Sequence, residues 1–248
     1  MARDISLNEL WESSPHGDRS FQADDASHLP EPAQQYLKHA IAAGTRLARA
    51  VRLRMHGEIK LQRWFPFKAE QVIAWGRGFI WSATVRMYGM PVRGSDRLVD
   101  GDGAMRWRLL GLIPVMSASG PDITRSAAGR VAGESMWLPS VLCSDEVSWS
   151  APDPYHLRAT FTAHGETTEL DLSVDGGGAL TSIKYPRWGN PGDSEFRYVD
   201  FGALVEGEST FGSYTIPSRL RAGWYFGSDR FESKGEFFRA TIDDVVYR

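Results

Sequence analysis

Cysteine is almost missing from this 248-residue chain: Cys143 stands alone. That excludes an intrachain disulfide framework and any cysteine-built zinc site. The six histidines (His16, His28, His39, His56, His156, His164) form no HxxxH or HExxH spacing, so no metal is expected. No apolar run approaches the ~20 residues that span a bilayer. The opening MARDISLNELWESSPHGD carries acids where an export signal needs an apolar core, so a cytoplasmic protein is expected. Charge of one sign is lacking too. Lys+Arg number 28 against 31 Asp+Glu, net −3, and the cations are not blocked together, so no nucleic-acid partner is expected. There is no GxSxG elbow and no phosphate-binding glycine loop, and no cofactor is expected.

What the chain does have is alternation. From Arg49 to Leu61, Val51, Leu53, Met55, Ile59 and Leu61 share one face, while Arg52, Arg54, His56, Glu58 and Lys60 share the other. A period of two over that length is a strand with one dry face and one wet face. Similar patterns cover 65–75, 78–88, 104–110, 114–119, 147–150, 156–163, 168–174, 180–187, 196–201, 204–211, 216–226 and 236–247. Turn residues such as Asp100-Gly101 and Asp175-Gly176 join them. No linker or fixed repeat divides the series. Residues 29–248 therefore read as one domain, preceded by a loosely ordered arm, residues 1–28, with one short amphipathic piece at Leu7, Leu10 and Trp11. A meander this long must curl. The fold class expected is mainly β: a large, strongly curved antiparallel sheet, or half-barrel, with amphipathic helices over its concave face. A closed lipocalin-like barrel is the alternative.

Two helical patterns are present. Pro30 and Pro32 suit a first turn, and Ala33, Tyr36, Leu37, Ala40 and Ile41 keep helical spacing. The second runs from Pro121 to about Leu138. On its wheel Glu134 falls within the stripe of Ile123, Ala127, Val131 and Leu138, and Arg130 sits one turn earlier at the stripe's edge. Gly129 and Gly133 each cost the helix about 1 kcal/mol relative to alanine, which a close approach of sheet or ligand would explain. Glu134 can serve as acid or base in an apolar cavity, or hold a polar head; equally, its pair with Arg130 can tie helix to sheet.

Tryptophans spread through the whole domain. Trp81 shares a strand face with Phe79, Ala83 and Val85; Trp224 does so with Leu220, Ala222 and Phe226. Rings on a concave face suit an apolar ligand, and they also suit a plain core. Trp81, Trp107, Trp137, Trp224 and Arg130 are the candidate ligand-binding residues, and Glu134 is the candidate catalytic one. Arg187 and Asp200 lie near strand ends within reach of a pocket mouth. Asp243 and Asp244, adjacent on the last strand, are expected on opposite faces.

LPEPAQQYLKHAI, VRLRMHGEIKL, RSAAGRVAGESMWLPSVL and FGSYTIPSRLRAGWYFG, from about Leu29 onward, resemble an uncharacterised bacterial family of unknown function. The resemblance implies a shape similar to curved-sheet carriers of lipoproteins and lipids, whose helices cap an apolar concavity. It brings no catalytic residues, and those carriers are exported.

Three functions follow as expectations. The first is binding of a hydrophobic small molecule or acyl chain between sheet and helix. The second is a cofactor-independent isomerase, cyclase or hydrolase in the same cavity, with Glu134 as acid or base. The third is a protein-interaction module anchored by Leu7, Leu10 and Trp11.

Overall fold

The computed structural model describes residues 5–192 and 195–248. Thirteen strands among them form one antiparallel sheet. A first meander comprises β1 (Ala50–Lys60), β2 (Trp64–Ala74), β3 (Gly78–Met87), β4 (Met90–Val99), β5 (Asp102–Leu109) and β6 (Ile113–Ser119). A second comprises β7 (Ser148–Asp153), β8 (His156–Ala163), β9 (Glu166–Val174), β10 (Leu180–Gly189), β11 (Arg197–Phe211), β12 (Tyr214–Trp224) and β13 (Glu236–Tyr247). β1 pairs with β13, so each meander is one arm of the sheet, with β6 and β7 at the two edges. The half-barrel is therefore open, not the closed alternative.

The helical interlude lies between the arms. α3 (Pro121–Gly133) packs on β4, β5 and β6 of one and on β8, β9 and β10 of the other. It starts after Gly120, whose φ of 107° only glycine takes readily, with Pro121 in the first turn. It ends at Gly133 rather than near Leu138; tighter 3₁₀ turns carry the chain through 134–137 and 139–143. α2 (Glu31–Ala40) buries Ala33, Tyr36, Leu37 and Ala40 in the same concave-face core as α3 and the inward residues of both arms.

Three strand expectations also need correction. Met90–Val99 is a full strand with no alternation that marks it, since Pro91, Gly94 and inward-facing Asp96 interrupt the pattern. The segments 196–201 and 204–211 are one strand, β11, running through Gly202 and bulging near Gly207. A register shift opposite Arg54/Met55 makes Asp243 an extra residue in β13. Both neighbouring carboxylates thus reach the convex face, Asp243 to His56 at 2.8 Å and Asp244 to Arg54 at 2.8 Å.

The described part of the arm packs on the sheet; residues 1–4 lie outside the described residues. A capping box joins Ser6 and Glu9 at the start of α1 (Leu7–Glu12). Leu10 is 0% exposed, packed with Ile5, Leu7 and Trp11 over Ala50, Val72, Ile80 and Val99 on the convex face. The arm's apolar side chains are therefore spent on the chain's own sheet.

Candidate functional site

The concave face is built by register. In the first arm a transverse row runs Leu53–Gln71–Trp81–Asp96–Met105 across β1 to β5. In the second, a row runs Tyr185–Phe201–Trp224 across β10 to β12. Alternation sends all of these side chains towards α3. Between the rows and the helix lies a cavity of about 290 Å³. Its walls include Phe79, Trp81, Phe201, Trp224 and Phe238 from the sheet, and Ile123, Ala127, Met136 and Trp137 from the helix side.

Two arginines line this cavity, each stacked over aromatic rings of one arm. Arg130, on α3, lies over the rings of Phe79 (4.6 Å) and Trp81 (5.4 Å). Arg187, on β10, lies over Phe201 (4.8 Å) and Trp224 (5.3 Å). Guanidinium over aromatic faces is favourable, more so away from water. Their partners differ. Arg130 donates to Glu134 at 2.6 Å and approaches Asp96 at 3.4 Å. Arg187 donates Nε to the Ser126 carbonyl at 3.1 Å and forms no ion pair among the described residues.

The titration behaviour follows. Burial lowers the Arg187 pKa, only partly offset by neighbouring Tyr185 and the acids. Burial works against the Arg130 cation as well, but Glu134 and Asp96 outweigh it and leave that pKa raised. Burial raises the Asp96 carboxyl against the opposing pull of Arg130, the Trp107 indole and Arg187. The Tyr185 phenol is pushed up to about 12, chiefly by burial.

Five of the six sequence-derived site residues line the cavity: Trp81, Arg130, Glu134, Trp137 and Trp224. Trp107 does not. It stands beside Trp81, ring centroids 5.8 Å apart, and donates its indole N–H to Asp96 at 3.0 Å. Glu134 is 7% exposed, and both of its oxygens are held, one by Arg130 Nε and the other by Gln71 Nε2. Trp137 donates to the Pro217 carbonyl at 3.1 Å. The Trp81 indole N–H is buried with no partner among the described residues, and so is the Gln71 side-chain oxygen. Of the two strand-end guesses, Arg187 reaches the cavity, whereas Asp200 pairs with Lys184 at 2.9 Å.

The helix glycines explain how the second arm comes so close. A Cβ on Gly133 would overlap the Tyr185 ring and hydroxyl, and one on Gly129 would lie 3.2 Å from Arg187 Cγ. Sequence reasoning missed Asp96, Gln71 and Tyr185. Gln71 carried a signal, being the one polar residue in the inward series Phe65, Phe67, Ala69, Gln71, Ile73. Asp96 carried none, because its strand went unrecognised.

Residues 27–247 match the Family of unknown function DUF6920, and the chain belongs to that family. No curated protein matches it. Among solved structures it is similar to a LolA superfamily protein from Nitrosomonas europaea, with 9% identity and a TM-score of 0.45 over 88% of this chain and 92% of that one. It is also similar to a DUF1329 family protein from Desulfovibrio piger, with 11% identity and a TM-score of 0.42 over 81% of this chain and 86% of that one.

Proposed function

For this member of the DUF6920 family we propose binding of a hydrophobic small molecule or acyl chain in the cavity between the curved sheet and α3, with a polar or anionic head on Arg187. The observation that carries this reading is the pairing of an aromatic-walled cavity with a guanidinium that forms no ion pair among the described residues. Burying an unpaired charge is costly. A ligand carboxylate or phosphate would remove that cost, while the chain beyond it gains about 25 cal/mol per Å² of apolar surface buried. The orphaned Trp81 indole N–H offers a second donor. A volume of about 290 Å³ lies at the lower end of ligand pockets, which start at roughly 300 Å³, and suits a medium-length chain.

The test is calorimetric titration with a series of fatty acids and the matching alcohols. The reading expects saturable binding with a negative heat-capacity change, tighter for acids than for alcohols. Absence of binding across chain lengths would overturn it. Catalysis in the same cavity has one observation in its favour: burial holds the Asp96 carboxyl towards its protonated form. Turnover of a bound ligand that Asp96→Asn abolishes without changing affinity would favour that second reading.

A further inference from the structure

Most of the large apolar side chains that stand exposed gather at one end of one arm. Tyr88, Met90, Leu110, Leu112, Ile113 and Val115 are each at least 45% exposed, and Leu112 reaches 77%. They belong to the β3–β4 and β5–β6 hairpin tips and the start of β6. Register puts both tips at the sheet end where Ile59 of β1 and Phe238 of β13 meet beside the cavity. Two of the tip residues hold a backbone conformation that large side chains avoid, φ 51° at Tyr88 and 54° at Leu110. Such positions normally take Gly, Asn or Asp. Both side chains cost the fold energy there: Leu110 is half exposed, and Tyr88, though edge-on against Phe65 at 5.4 Å, stays 64% exposed.

The same strand ends are basic. Residues 60–69, 84–93 and 107–117 contain Lys60, Arg63, Lys68, Arg86, Arg93 and Arg108, and no Asp or Glu. Arg93 and Arg108 are direct cross-strand neighbours on the exposed convex side, and neither forms an ion pair among the described residues. Like charges directly opposed in a sheet repel. Arg63 stacks at 4.2 Å on the Tyr88 ring, joining the cations to the apolar tip.

We propose that these two hairpin tips are a docking surface for an anionic lipid bilayer. The apolar tips enter the headgroup and upper acyl region, while the arginines behind them meet lipid phosphates. Apolar projections backed by cations are what interfacial binding requires. A large exposed apolar patch marks an interaction site, and a rim in which six cations outnumber the neighbouring acid, Glu58, favours a negatively charged surface over neutral protein. The proposal does not depend on what the cavity holds.

The experiment is co-sedimentation of the full chain with vesicles of phosphatidylcholine alone or mixed with phosphatidylglycerol. Binding to the mixed vesicles is expected, weakening as salt rises. Arg93→Glu with Arg108→Glu should reduce it by on the order of tenfold or more. Leu112→Asp with Ile113→Asp, both solvent-exposed in the fold, should abolish it, with circular dichroism confirming the folded state. No binding to phosphatidylglycerol vesicles, equal binding to neutral ones, or undiminished binding by folded variants would overturn the proposal. So would a dimer in sedimentation velocity that Leu112→Asp dissociates, because a second copy would then own the patch.

Discussion

Arg187 Nε donates to the Ser126 carbonyl at 3.1 Å, tying a sheet cation to the covering helix through backbone alone. This bond positions the guanidinium, whose charge is only partly offset by the more distant acids and which forms no ion pair among the described residues. Replacing a poorly compensated buried ion by an apolar residue of similar length is commonly neutral or stabilising. Arg187→Met should therefore leave the melting temperature unchanged or raise it. The same variant should weaken a carboxylate ligand by about tenfold to a hundredfold, the range for a hydrogen bond to a charged group. The matching alcohol should bind it as tightly as it binds the parent chain.

Gly133 and Gly129 should respond differently to the same change. At Gly133 the new Cβ meets the rigid end of Tyr185, so Gly133→Ala should destabilise by about 1–3 kcal/mol, as overpacking does. At Gly129 the nearest atom belongs to a flexible arginine stem. Up to about 1 kcal/mol of helix propensity is available there, and Gly129→Ala should come out neutral or stabilising. Urea unfolding of both variants checks the pair.

Glu134 sits where its loss leaves two groups stranded. Without it the longer contact to Asp96 is the one carboxylate Arg130 retains among the described residues, and the buried Gln71 amide loses its acceptor. Glu134→Ala should cost about 3–5 kcal/mol, the range for breaking a buried charge pair on one side. Glu134→Gln, which keeps an acceptor oxygen and the shape, should cost less. Equal unfolding midpoints for Glu134→Ala and the parent would contradict this.

His164 makes stability depend on pH. It occupies the β8–β9 turn, with Nε2 3.0 Å from the Trp75 carbonyl, and burial lowers its pKa below the usual 6.5, against the smaller opposing effects of that carbonyl and Asp100. The unfolded chain therefore takes up a proton before the folded one does. The stabilisation is complete above about pH 6.5 and is lost as pH falls through the depressed folded value. Melting temperatures measured from pH 7.5 to 5 should show this decline, and His164→Gln should flatten it.

Much of the architecture was legible because a sheet with one dry face writes its period into the sequence. Ala50–Lys60, His156–Ala163 and Glu236–Tyr247 needed nothing but alternation and turn residues. β4 failed that test because of one inward acid. Asp96 points inward at Arg130, where an alternation reading demands an apolar residue. The Arg130–Glu134 pair was readable from helical spacing, since both ends lie on one short segment. The rest of the site joins strands separated by about a hundred residues, as Trp81 and Tyr185 are. Only register, which bulges at Gly207 and Asp243 shift, brings those side chains to one cavity.

The most direct test of the cavity's role is native mass spectrometry of the chain as purified from cells, followed by denaturing extraction of whatever it carried. The account predicts a stoichiometric hydrophobic passenger with an acidic head, reduced in Arg187→Met. Protein that arrives empty and stays empty after incubation with fatty acids of increasing length would contradict it.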